Sequence, residues 1–237
     1  MMQIIALFLV ALVAGGLVLT GILNIKKYIQ PLLSFSAAFL LGVSFLHLLP
    51  EAFATSYSSS GIYILIGFFL QLALDYFSGG IEHGHIHVEK EKVGKSFPWL
   101  ILFSLCLHAF LESTPLLHLH PVSDDMHSPF LLGLLLHKIP IAIVLAALLL
   151  GYQTKKSISY VAIIIFALMA PLGAFLGAEL QHHEEFLHPM IALAVGIILH
   201  LSTTILIETN EKHEVSWKKV SPMLLGALLS LLSVFLH

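Results

Sequence analysis

Apolar runs of about twenty residues recur along the whole chain, and this repetition decides what the chain can fold into. Each run can cross a hydrocarbon core of roughly 30 Å as a helix that rises about 1.5 Å per residue. Of the 237 residues, 58% are hydrophobic and 11% are charged, whereas a typical soluble domain has roughly 25% charged residues. The sequence therefore predicts an all-α integral membrane protein.

Eight transmembrane helices are predicted when the hydropathy profile is divided at glycine, proline, serine and charge clusters. They form one transmembrane domain, residues 1–237, in which short connections make consecutive helices antiparallel neighbours. Residues 1–20 lack a basic segment and a small-residue cleavage site, so we expect a helix here and not a signal peptide. The predicted spans are residues 2–24, 31–54, 61–77, 97–117, 129–150, 157–180, 187–209 and 219–236.

One connection, residues 78–96, differs from the others because it carries three histidines and three lysines without apolar periodicity. Lysines also set the predicted topology, since positive residues collect in cytoplasmic loops. Ten of the eleven lysines fall on one side of the membrane in the eight-span division. The sequence therefore predicts a His-rich cytoplasmic loop at 78–96 and both termini outside the cell membrane, either a plasma membrane or a bacterial inner membrane.

The fourth and fifth predicted spans carry ionisable residues in the middle of apolar sequence. His108 and Glu112 are four residues apart, so both lie on one helix face. At 1.5 Å per residue, His108 lies about 16 Å into its span and His137 about 12 Å into the next, so both reach a similar depth. The single cysteine, Cys106, leaves metal binding to histidine and carboxylate. We predict a metal site of His108, Glu112 and His137, suited to Zn²⁺; the alternative is that His108 and Glu112 only pair with each other.

Lys138 follows His137 directly and lies in the middle of a predicted span, whereas the other ten lysines lie in loops or at a span end. Successive helical residues point about 100° apart, so Lys138 need not face the same ion. A buried ammonium group must be paired or lose its proton. Lys138 is therefore either a fixed positive charge beside the metal site or a lysine bonded to backbone carbonyls that Pro140 frees.

Further polar residues suggest routes to and from this site. His47 and Glu51 repeat the four-residue spacing near the outer side of the second span, where they form a candidate access station or a solvated pair. The acidic and histidine-rich outer loops either concentrate cations or are simply polar. On the inner side we expect an exit route through Asp75, His200 and Glu208, and a weak metal sink at His83, His85 and His87.

These residues together resemble the Zrt/Irt-like (ZIP) family of divalent metal transporters, over essentially the whole chain. The matching motifs are His47-Leu-Leu-Pro-Glu51, the fourth-span pair His108 and Glu112, and the fifth-span His137 with Pro140. The resemblance implies an inverted-repeat bundle with spans four and five at its centre. It also implies transport of a divalent ion towards the cytoplasm.

The chain departs from family members that hold two metal ions at the midplane. Ala109, Lys138 and Ala170 stand at the three positions that bind the second metal, and Ile141 replaces a bridging acid. These losses agree with one another. The resemblance therefore implies a one-metal site, in which the charge of Lys138 substitutes for the second cation.

The sequence as a whole predicts uptake of Zn²⁺, or of Fe²⁺, Mn²⁺ or Cd²⁺, by alternating access. The ion is the transported substrate and not a resident cofactor, and no enzymatic activity is expected. The chain has neither a Walker motif nor a His-Glu-x-x-His pair. Two alternatives stay open, namely a membrane-embedded metal-dependent hydrolase and a metal sensor without flux. The expected partners are a divalent metal ion and the lipid bilayer, with no nucleic acid; a homodimer is left open.

Overall fold

The computed structural model describes residues 2–22, 28–54, 57–84, 97–119, 129–180, 184–208 and 217–234. Within these ranges the regular structure is entirely helical, which confirms the all-α prediction. Two shorter pieces, a 3₁₀ turn at Ile81–His83 and a single helical turn at Leu116–Leu119, lie between longer helices. The longer helices are α1 (Met2–Leu19), α2 (Ile29–Ala52), α3 (Tyr57–Ser78), α4 (Trp99–Glu112), α5 (Pro129–Gly151), α6 (Lys156–Leu180), α7 (Glu184–Glu208) and α8 (Trp217–Ser233).

Six of these helices, α1, α2, α3, α5, α6 and α7, are long and apolar enough to cross a membrane. Helices α4 and α8 have 14 and 17 residues; both contain apolar sequence but fall short of that length. Several long apolar helices indicate a multi-pass membrane protein. The eight spans and the orientation with both termini outside stay predictions.

Helix α2 is continuous but irregular near its end. A regular segment, Ile29–Val43, passes into a π-helical turn at Ser44–Leu48 before the last turn, Leu49–Ala52. Pro50 lies at the start of that last turn. Because proline has no backbone N–H, it cannot bond the carbonyl of Leu46, and the wider π turn accommodates this loss.

Helix α4 ends earlier than the predicted span 97–117. Its last residue is Glu112, and the chain turns before helix resumes at Leu116. Pro115 explains this break, because proline disfavours helical conformation in the residue before it. The metal-binding candidate Glu112 therefore lies at a helix end.

Helix α5 is the most enclosed of the six long apolar helices. Along its most apolar stretch 72% of the residues are buried, whereas the corresponding value for α3 is 22%. It packs against α1, α2 and α6, and its residues Ile141–Leu149 contribute to a buried core shared with α1, α4 and α6. The sequence of α5 is apolar on all sides, as expected for a helix inside a bundle.

Close contact between α4 and α6 fixes the end of α4. A Cβ atom at Gly173 of α6 would collide with the carbonyl oxygen of Phe110 in α4, and one at Gly177 would collide with that of Thr114 in the turn after α4. Small residues four apart commonly permit such backbone approach between membrane helices. The hydroxyl of Ser113 adds a hydrogen bond of 3.0 Å to the carbonyl oxygen of Ala170 in α6. These contacts hold the segment that carries Glu112.

Gly173→Val is accordingly expected to lower the free energy of unfolding by about 1–3 kcal/mol, because an added side chain would force α6 away from α4. Thermal unfolding of the purified protein in detergent measures the effect. Gly16→Val is the matched control, since a Cβ at Gly16 in α1 meets no atom within 4 Å. Equal unfolding midpoints for the two variants would contradict the close α4–α6 contact.

Candidate metal centre

Helices α4 and α5 bring the three predicted metal ligands together. One ligand atom from each of His108, Glu112 and His137 lies within 4.8 Å of the other two. Each of the three residues is only 1% exposed. The four-residue spacing on α4 places His108 Nε2 3.2 Å from Glu112 Oε2, and the two imidazole rings are 6.1 Å apart between centroids. The group therefore combines two imidazoles and one carboxylate in a site closed to solvent.

His137 Nε2 is buried without a hydrogen-bond partner among the residues that the structure describes, whereas His108 Nε2 and Glu112 Oε2 lie 3.2 Å apart and are close enough to pair with each other. Buried polar atoms in proteins are nearly always paired, so an unpaired ring nitrogen beside this pair requires an explanation. A divalent ion supplies one, because two nitrogens and one oxygen form a donor set that Zn²⁺ accepts. Three protein ligands leave one position of a tetrahedral ion open.

Lys138 extends to the same carboxylate from the side of α5. Its Nζ donates a hydrogen bond of 2.7 Å to Glu112 Oε1, and the residue is 2% exposed. Its ammonium group also lies 5.8 Å from the centroid of the Phe166 ring. Lys138 Nζ thus lies beside the metal group, as the first sequence interpretation requires, and its role as a substitute for a second cation stays a prediction. Glu112 therefore uses one oxygen for Lys138 and keeps the other for the histidine side.

Each histidine of the group has a second contact through its other ring nitrogen. His108 Nδ1 lies 2.9 Å from Gln71 Oε1 in α3, and His137 Nδ1 lies 3.5 Å from Ser36 Oγ in α2. In the tautomer that donates through Nδ1, each ring presents the lone pair of Nε2 to the site. Sequence reasoning missed both partners. Gln71 could have been noticed as a lone amide between the apolar residues Leu70 and Leu72.

Glu82 reaches the site from the short turn after α3. Gly80 and Gly84, with φ of 73° and 86°, flank this turn in the left-handed conformation that glycine adopts without strain. The carboxylate of Glu82 accepts a hydrogen bond from Gln71 Nε2 and lies 4.0 Å from His108 Nδ1. Glu82 is fully buried, and burial raises its pKa to about 7 against the attraction of His108. The predicted loop 78–96 thus begins with a turn that belongs to the bundle interior.

The predicted exit residues have different surroundings. Asp75 lies four residues after Gln71 on the same face of α3, with its Oδ1 3.5 Å from His83 Nε2. His200 is buried in α7, with its ring edge-on to Phe68 at 4.9 Å between centroids. The structure brings Asp75 and His83 together, and it places His200 against Phe68 of α3. His85, His87 and the side chain of Glu208 lie outside the described part of the chain.

The candidate access residues lie at the irregular end of α2. His47 is in the π-helical turn, and its Nε2 lies 3.2 Å from Ser233 Oγ in α8. Glu51 is partly buried in the last turn of the same helix. The predicted outer loops, at residues 120–128 and 181–183, are not among the described residues. The side chain of His47 therefore contacts α8. The access role of His47 and Glu51 stays a prediction.

The fold and this site together define a class: a multi-pass α-helical membrane protein with a buried His/Glu group that fits a metal ion. A scan against profiles of known protein families and a search of curated proteins both find no match for this chain.

Proposed function

We propose that the protein transports a divalent transition-metal ion, with Zn²⁺ as the preferred substrate, towards the side of the membrane that carries the lysine-rich loops. The observation that supports this most directly is the buried group of His108, Glu112 and His137 on two adjacent helices of an apolar bundle. Ionisable residues inside membrane spans commonly mark ion pathways. The ZIP resemblance of the sequence supports the same function.

The ligand set suits an ion that binds and leaves. Structural zinc sites are normally closed by four protein ligands, whereas this group offers three. The carboxylate is also shared, because Lys138 donates a hydrogen bond to Glu112 Oε1 while Oε2 faces His108 Nε2 at 3.2 Å. An arriving ion therefore competes with a resident positive charge for Glu112, which limits how tightly it can be held.

Buried polar groups continue from the metal group along α3. His108 contacts Gln71, Gln71 contacts Glu82, and one helical turn further Asp75 pairs with His83. Asp75 is near the last residue of α3, after which the chain enters the loop with Lys90, Lys92 and Lys95. This order fits an exit towards the cytoplasm under the predicted topology. His47 and Glu51 on α2 are proposed to lie on the access side.

In this proposal the metal group faces each side of the membrane in turn. His108, Glu112 and His137 bind the ion as its water is removed, and Lys138 keeps Glu112 compensated when the ion has left. A buried carboxylate without any partner would be costly, so the ion pair stabilises the empty site. The bundle can then change its exposure without an uncompensated charge in the hydrocarbon region.

Reconstitution in liposomes tests the proposal. Purified protein is inserted into sealed vesicles, and uptake of Zn²⁺, Fe²⁺, Mn²⁺ and Cd²⁺ is followed with an internal metal-sensitive dye, with and without a pH gradient. We expect saturable uptake with Zn²⁺ as the best substrate. Equilibrium binding of Zn²⁺ without flux would instead support a sensor, and hydrolytic turnover without flux would support a metal-dependent hydrolase. Either result overturns the transport proposal.

A further inference from the structure

A chain of three side chains joins the metal group to the turn after α3. His108 Nδ1 lies 2.9 Å from Gln71 Oε1, and Gln71 Nε2 donates to Glu82 Oε2. Gln71 and Glu82 are each fully buried, so water does not compete for these contacts. The three residues come from separate elements, namely α3, the 3₁₀ turn and α4. The chain is therefore a tertiary feature and not a local helix contact.

The amide of Gln71 turns its NH₂ group towards Glu82 and its oxygen towards His108. An ionised Glu82 only accepts, which matches this orientation of the amide. The amide oxygen of Gln71 then faces His108, and since this oxygen only accepts, Nδ1 of His108 must carry the proton. The other ring nitrogen, Nε2, lies 3.2 Å from Glu112 Oε2, and in the neutral ring with its proton on Nδ1 it carries the lone pair. This is the tautomer that can bind a metal ion.

We infer that Gln71 is a positioning residue for the metal site: it holds His108 in the metal-binding tautomer and orientation, and Glu82 in turn orients the amide of Gln71. This inference rests on the proposed function only in that the group binds a divalent ion. Side chains that hydrogen-bond the outer nitrogen of a ligand histidine affect metal binding strongly. Their removal typically lowers metal affinity about 10–100-fold.

The second histidine provides an internal comparison. Ser36 Oγ lies 3.5 Å from His137 Nδ1, a longer contact than the 2.9 Å of Gln71 to His108. The hydroxyl of Ser36 also donates to the carbonyl oxygen of Leu33 in its own helix. Ser36 holds its histidine through a longer bond and without a carboxylate behind it. Loss of Ser36 is therefore expected to weaken metal binding less than loss of Gln71.

Equilibrium binding of Zn²⁺ to the purified protein in detergent, measured by calorimetry, tests this inference without any need for flux. Gln71→Leu keeps the approximate size of the side chain and removes both hydrogen bonds, so we expect affinity to fall about 10–100-fold. Ser36→Ala is expected to lower it less than Gln71→Leu. Glu82→Gln is the rescuing variant, because an amide at position 82 can still accept from Gln71, and affinity should stay within a few fold of wild type.

Gln3→Leu is the matched control, since it removes a buried glutamine from α1. The absorption spectrum of bound Co²⁺ provides a second readout, because a displaced His108 changes the coordination geometry while a merely structural role leaves it unchanged. If Gln71→Leu does not fold, Gln71→Asn and Glu82→Leu are measured instead, and both are expected to bind Zn²⁺ more weakly than Glu82→Gln.

Wild-type affinity and an unchanged Co²⁺ spectrum in Gln71→Leu would overturn the positioning role, whatever the flux measurements show. Binding that depends on Gln71 in a protein without flux would overturn the transport proposal and leave this inference standing. Wild-type protein that binds no Zn²⁺ would overturn both.

Discussion

His108→Ala is expected to abolish Zn²⁺ uptake by reconstituted protein and to weaken Zn²⁺ binding by at least about 100-fold, since even removal of an outer-shell partner costs 10–100-fold. The substitution removes one of three ligand atoms, and among the residues that the structure describes no further histidine or carboxylate belongs to the 4.8 Å group. The two remaining ligands, Glu112 and His137, lie on different helices. Glu112 also accepts a hydrogen bond from Lys138, so Glu112 and one remaining imidazole bind an ion only weakly.

The His108→Ala experiment needs a control for loss of a histidine and a control for loss of fold. His188→Ala serves the first purpose, because His188 is a partly buried histidine in α7 that lies outside the metal group. Gel-filtration behaviour and the unfolding midpoint without metal serve the second. Uptake by His108→Ala at the level of His188→Ala, with equal protein in the vesicles, would remove His108 from the site.

The helices were largely predictable because apolar run length and polar boundaries set them. The spans predicted at 129–150 and 157–180 differ by one residue at one end from Pro129–Gly151 and Lys156–Leu180. The early end of α4 required attention to Pro115, which interrupts an otherwise apolar stretch. A hydropathy average does not register such a break, whereas the restricted backbone conformation of the residue before proline predicts it.

The three residues of the candidate metal group could be brought together from the sequence for a different reason. His108 and Glu112 follow from helical spacing alone, and His137 follows from its depth in the next helix. The partners behind them were not predictable in this way. Gln71 is 37 residues away from His108 in sequence, and its role depends on how α3 packs beside α4.

Glu82 shows why the remaining part of the site needed the structure. In the sequence it begins a polar, histidine-rich stretch that is typical of an exposed loop. Its burial depends on the left-handed backbone at Gly80 and Gly84, which turns the chain back into the bundle. Such a backbone conformation is permitted by glycine but not dictated by it.

Lys138→Met is expected to change the stability of the metal-free protein and its metal affinity in opposite directions. Without the ammonium group, Glu112 becomes a buried carboxylate that has lost its 2.7 Å partner. Breaking a buried ion pair in this way typically costs about 3–5 kcal/mol. We therefore expect a lower unfolding midpoint without metal, measured in detergent with a chelator present.

Metal affinity is expected to rise in the same variant. The substitution removes a positive charge that repels the ion and frees Glu112 Oε1 for coordination. Two unit charges about 4 Å apart interact by about 4 kcal/mol at an effective dielectric constant of about 20, so even part of this repulsion corresponds to at least a tenfold gain. Addition of Zn²⁺ should consequently raise the unfolding midpoint of Lys138→Met more than that of the wild type.

Lys155→Met is the control for these measurements, since Lys155 is exposed in the loop before α6 and should leave both quantities unchanged. The opposite signs separate two roles of Lys138. A lysine that substitutes for a second cation lowers metal affinity and stabilises the empty site, whereas a lysine that only orients Glu112 raises metal affinity. Weaker Zn²⁺ binding by Lys138→Met would therefore exclude the charge-substitution role and assign Lys138 to the positioning of Glu112.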